Sequence, residues 1–61
     1  MKQFMYGFAL LVDGQWDLTA VGHQDRSNCF GTRAEAQAEL PNLARVLDVD
    51  ESRLRVEELE F

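Results

Sequence analysis

From Gln3 to Val12 the chain is a nearly unbroken run of aromatic, branched and small apolar residues; Asp13-Gly14 follows, and Gln15 to Val21 then alternates polar with apolar positions. An Asp-Gly pair between two such runs predicts a β-hairpin, because a type I′ turn needs φ > 0 at both central residues. With a two-residue loop, Val12 faces Gln15, Leu11 faces Trp16, Leu10 faces Asp17, Ala9 faces Leu18, Phe8 faces Thr19 and Tyr6 faces Val21. One face then holds Met5, Gly7, Ala9, Leu11, Trp16, Leu18, Ala20 and Gly22. The other holds Phe4, Tyr6, Phe8, Leu10 and Val12 beside Gln15, Asp17, Thr19, Val21 and His23. A slip of one residue would re-pair every side chain, so the assignment hangs on the loop length.

The segment from His23 to Gly31 is polar and loop-like. It leads into Thr32-Arg33-Ala34-Glu35, whose Thr and Glu spacing fits a capping box and predicts a helix start. Ala36, Leu40, Leu43 and Leu47 recur at helical spacing with Ala44 beside them, while Arg33, Glu39, Asn42 and Arg45 occupy the remaining surface. Pro41 has no amide to offer the Gln37 carbonyl and its ring presses on the preceding turn, so the pattern predicts a kink, or two short helices meeting at Leu40-Pro41.

Asp48 to Ser52 reads as a helix exit and a tight turn, and Arg53 to Glu57 alternates as a strand. Leu59 and Phe61 fall on the opposite parity from Leu54 and Val56, so this strand is either bulged near Glu57-Glu58 or apolar on both faces. Pairing it with the first strand gives an α+β fold of ββαβ order: a three-stranded antiparallel sheet, strand order 2-1-3, with one kinked helix on one face. The small residues Gly7, Ala9, Ala20 and Gly22 are expected to receive the helix.

That placement leaves Phe4, Tyr6, Phe8, Leu10, Val12 and Val21 uncovered. Contiguous apolar surface of this kind marks an interaction site in soluble proteins, and aromatics are enriched at such contacts. Two arrangements would cover the patch from within: the 23–31 segment folding over it with Cys29 and Phe30, or the helix lying on the aromatic face instead.

Sixty-one residues allow a single domain, 1–61, near the lower limit for an unassisted fold, where only about 60% of the unfolded surface can be buried. Apolar residues make up 46% of the chain and charged residues 28%, a globular composition. Cys29 is the single cysteine, so no disulfide can form within the chain, and a reducing compartment is expected. The apolar run near the N-terminus ends at Asp13-Gly14 without a small-residue cleavage site and is too short to span a bilayer, which favours a cytoplasmic protein with no membrane partner.

The net charge is −5. Residues 1–31 carry Lys2 and Arg26 against Asp13, Asp17 and Asp25, whereas residues 32–61 carry four arginines against eight acids. This disfavours direct nucleic-acid binding, which draws its affinity from clustered Lys and Arg. It favours a protein partner with a basic surface, met by Asp50, Glu51, Glu57, Glu58 and Glu60. A sharper version has those acids together with Asp48 mimic a run of phosphates in a nucleic-acid channel, although Arg53 and Arg55 interrupt it.

Catalytic signals are sparse. His23 and Cys29 are the sole histidine and cysteine, and no Gly-rich turn or oxyanion-hole pattern accompanies them. They fall short of the four ligands of a structural zinc site. Asp48-x-Asp50-x-Ser52 begins like a calcium loop, but Arg53 stands where glycine is needed and Leu59 where a bidentate glutamate is needed. Nucleotide-binding glycine motifs, HExxH, CxxC and repeats are absent. No cofactor or metal is expected, and the chain reads as a non-enzymatic module: an inhibitor or adaptor that docks on a larger protein, or a small bacterial regulatory or structural domain acting as an obligate homodimer through its sheet. In size, negative charge and want of chemistry it resembles small phage-encoded proteins that disable host machinery, anti-CRISPR proteins among them, a resemblance of kind carried by no signature residue.

Overall fold

The computed structural model describes residues 2–21 and 28–61. Strand β1 (Phe4–Val12) and the short β2 (Gln15–Asp17) form a hairpin; a 3-10 turn (Thr19–Val21) follows, then helix α1 (Arg33–Leu47), a second 3-10 turn (Glu51–Arg53) and β3 (Leu54–Glu60). All strand pairs are antiparallel and the order is β2-β1-β3, which bears out the expected α+β arrangement.

The hairpin turn is the two-residue kind, with Asp13 at φ 52° and Gly14 at φ 79°. It fixes the anticipated pairs Val12–Gln15, Leu11–Trp16 and Leu10–Asp17. Beyond Asp17 the pairing stops, so the pairs of Ala9, Phe8 and Tyr6 with Leu18, Thr19 and Val21 do not form. The Asp17 carboxylate accepts hydrogen bonds from the Thr19 amide (2.9 Å) and hydroxyl (2.7 Å), a local turn that steers the chain off the sheet into the 3-10 segment. Phe30 takes the vacated place beside Tyr6, exchanging two backbone hydrogen bonds with it at 2.9 Å each.

Helix α1 starts at the anticipated cap: the Thr32 hydroxyl oxygen accepts from the Glu35 amide at 3.2 Å and donates to the Glu35 carboxylate. It runs unbroken for 15 residues through the exposed Pro41, so the alternative of two helices does not occur. At its end Asp48 adopts the left-handed conformation (φ 56°, ψ 48°). The Asp48 amide reaches the Arg45 carbonyl and the Val49 amide the Ala44 carbonyl, the double closure of a Schellman motif.

The helix lies on the aromatic face of the sheet, not on the small-residue face. Ala36, Leu40 and Ala44, one stripe of α1, pack with Phe8, Leu54 and Val56, and Tyr6, Leu10, Val21 and Phe30 border them. This corrects the expectation that Gly7 and Ala9 would receive the helix. Close approach requires small residues on one partner only, and here the alanines of the helix supply them. Docking on Phe8, Leu10, Leu54 and Val56 buries far more apolar area than docking on glycine and alanine, and burial stabilises at about 25 cal/mol per Å². Phe30 also folds in, its ring edge-to-face with Phe8 (centroids 5.9 Å apart, planes at 77°). The helix thus covers the aromatic face and Phe30 adds to that cover, while residues 23–27 of the 23–31 segment lie outside the described residues.

Strand β3 keeps one register from Leu10–Leu54 to Phe4–Glu60 without a bulge. Gln3 and Phe61 extend it by two more backbone hydrogen bonds. The strand is apolar on both faces: Leu54 and Val56 point to the helix, Leu59 and Phe61 away from it.

Candidate interaction surfaces

Of the aromatic-face residues expected to meet a partner, the fold leaves one open. Phe4 is 48% exposed, whereas Phe8 is buried and Tyr6, Leu10 and Val21 are half-buried against the core. Tyr6 is further held by its hydroxyl, which donates to Glu58 Oε2 at 3.2 Å, and by the Arg33 guanidinium 5.2 Å from its ring centroid. The premise of a bare aromatic face is thus overturned, because α1 and Phe30 already occupy it.

The acidic residues separate into three places. Asp50 and Glu51 are exposed in the 3-10 turn before β3, where Asp50 accepts from the Ser52 amide at 2.9 Å. That backbone hydrogen bond, followed by one from the Ser52 side chain, lowers the Asp50 pKa; hydrogen bonds from the Thr19 hydroxyl and then its amide lower that of Asp17. Glu58 and Glu60 are exposed on the helix side of β3, Glu60 3.5 Å from Lys2 Nζ. Glu57 points to the other side of the sheet and pairs with Arg55.

β3 is an edge strand. Gln3 and Phe61 exchange their backbone hydrogen bonds, so the odd-numbered residues of β3 turn their amides toward β1 and Val56, Glu58 and Glu60 turn theirs outward. Among the described residues no strand lies on that outer edge.

The helix-free face is built from Met5, Gly7, Ala9, Leu11, Trp16, Arg55, Glu57, Leu59 and Phe61, as the strand registers dictate. Arg55, opposite Ala9 on β3, reaches across the central strand to stack on Trp16 of β2, its guanidinium carbon 4.3 Å from the ring centroid. Ala9, between them, is 1% exposed. Trp16 and Phe61 remain 36% and 39% exposed at opposite ends of this face. The hairpin register already put Trp16 on this side; the reach of Arg55 was hidden because it depends on the register of β3, which no turn fixes.

Cys29 is half-buried, and His23 lies outside the described residues, so the His23–Cys29 pair cannot be placed. Among the described residues no cavity opens, no cluster of three or more His, Cys, Asp or Glu side chains is gathered for a metal, and no helix is long and apolar enough to cross a membrane. Comparison with protein-family models, with curated proteins and with solved structures finds no match.

Proposed function

We propose that this chain is a non-enzymatic protein-binding module, an inhibitor or adaptor, that takes a basic extended segment of a larger protein onto the outer edge of β3. The observation that carries the reading is a seven-residue edge strand without proline or bulge whose outward amides belong to Val56, Glu58 and Glu60, the last two bearing exposed carboxylates. Exposed edges of this kind pair with other strands unless something blunts them. Strand addition draws its affinity from main-chain hydrogen bonds and its specificity from the flanking side chains. Two copies of β3 aligned about Glu58 would oppose like charges, whereas a strand bearing lysine or arginine would meet opposite ones. Asp50 and Glu51, at the start of the same strand, extend the negative field along it.

The test is an NMR titration with a synthetic ten-residue peptide alternating Lys and Val. Binding should shift the amides of Val56, Glu58 and Glu60 and slow their exchange with solvent, and should be lost in the double variant Glu58→Lys/Glu60→Lys and in high salt. Shifts centred on α1 or β2, or no binding at millimolar peptide, would refute the reading.

A further inference from the structure

We propose that the helix-free face of the sheet is covered by a second copy of this chain, in a two-fold, face-to-face sandwich. This goes beyond the edge-strand reading and does not depend on it, since the outer edge of β3 stays open in such a dimer.

The face has the apolar content of a sheet that is packed on both sides. Met5, Leu59 and Phe61 lie toward one end and Leu11 and Trp16 toward the other, with Gly7 and Ala9 at the centre, where Arg55 crosses Ala9 to reach Trp16. Inner faces of stacked sheets interdigitate such residues about 10 Å apart. Strands of nine, three and seven residues, about 4.8 Å apart and rising about 3.3 Å per residue, give a footprint of about 300 Å² on each copy, and roughly twice that in total. Stable interfaces begin at about 1,000 Å², so a dimer through this face alone is weak and concentration-dependent.

Charge selects the occupant. The face carries Arg55 and Glu57, whose charges cancel, so the net negative charge of the chain lies on other surfaces. The central charges are also self-complementary: Arg55 sits at the level of Ala9 and Glu57 at the level of Gly7. A two-fold axis running across the strands above the Gly7–Ala9 segment sets Arg55 of each copy against Glu57 of the other, and Met5 against Leu11. An isologous contact must match itself in this way.

Sedimentation and light scattering over about 10 µM to 1 mM, with charge-reversal variants, test this at concentrations suited to a weak interface. The wild-type mass should rise from 7.0 kDa toward twice that value. Arg55→Glu and Glu57→Arg should each remain monomeric throughout, because each opposes like charges across the axis. Mixed in equal amounts they should restore the dimer, since one then presents only acids and the other only bases at the two positions. The exchange cannot act within a chain, as each variant has lost its own Arg55–Glu57 pair. A wild-type mass of 7.0 kDa at every concentration, or a dimer that neither reversal weakens, would overturn the proposal. If a variant fails to fold, isotope-filtered NOEs in a mixed-label wild-type sample decide: contacts between Met5 of one copy and Leu11 of the other support the sandwich, and their absence from a wild-type dimer rejects it.

Discussion

The Arg53 guanidinium closes on the Leu11 carbonyl through both Nε (3.2 Å) and Nη2 (2.8 Å), at the point where β1 runs on past the start of β3. The last ladder pair is Leu10–Leu54, so the Leu11 oxygen has no strand amide opposite it, and a side chain from the preceding turn serves in its place. Charge-assisted bonds to one oxygen anchor the second 3-10 turn to the sheet.

Replacing Arg53 with Met keeps most of the aliphatic stem and removes both bonds. Because the site is exposed, water can replace the lost donors, and the expected loss is about 1 kcal/mol, read as a lower urea midpoint at unchanged slope.

Asp48 offers the opposite change. It holds a left-handed backbone conformation that costs a non-glycine residue about 1 kcal/mol, and it sets a carboxylate at the negative end of the helix dipole. Asp48→Gly should raise stability by about 0.5–1 kcal/mol, seen as a higher melting temperature with an unchanged circular dichroism spectrum.

Phe8 belongs to the core, and its substitution should behave accordingly. Phe8→Ala removes the centre of the cluster between α1 and the sheet, at an expected cost of about 3–5 kcal/mol. In a domain of this size that is most of the stability. Loss of the cooperative thermal transition is the expected result, whereas a folded variant with altered association would place Phe8 on a working surface.

Acid should destabilise the protein partly through Asp17 and Asp50. Both carboxylates have folded-state pKa values below the ordinary 3.8, so the unfolded chain binds protons more readily in that window. Their stabilising contribution is complete well above pH 3.8 and is lost as pH falls through the lowered folded values. Melting temperatures measured between about pH 6 and pH 2 should fall less steeply for Asp17→Asn than for the wild type over the acid limb.

These residues also show why some features were legible in the sequence and others were not. Asp13-Gly14 and Thr32 with Glu35 encode their turn and cap locally, so the hairpin register and the helix start could be read from a few positions. The side of the sheet that takes α1 could not, because β1 is apolar at every position and the outcome depends on comparing two buried areas. Asp17 misled for a related reason: Asp17-Leu18-Thr19 alternates as a strand does, yet the same spacing lets the carboxylate capture Thr19 and end β2. The candidate surfaces followed from these choices. Placing the helix on Tyr6 and Phe8 moved the open face to Met5, Leu11, Trp16 and Leu59, while the acidic positions of β3 kept their exposure wherever the helix lay.

The ladder between β1 and β3 joins Phe4 to Glu60, nearly the full length of the chain apart. On the ribosome the hairpin and the helix can form early, since each is held by near neighbours, but the central strand waits for its second partner until synthesis has passed Glu60. Until then Phe8 and Val56 cannot meet, and the nascent chain carries an unclosed apolar strand. Closure of the sheet therefore waits for β3, and its rate is set by closing one long loop. A truncation that removes even the last few residues of β3 would cost the entire domain its closure.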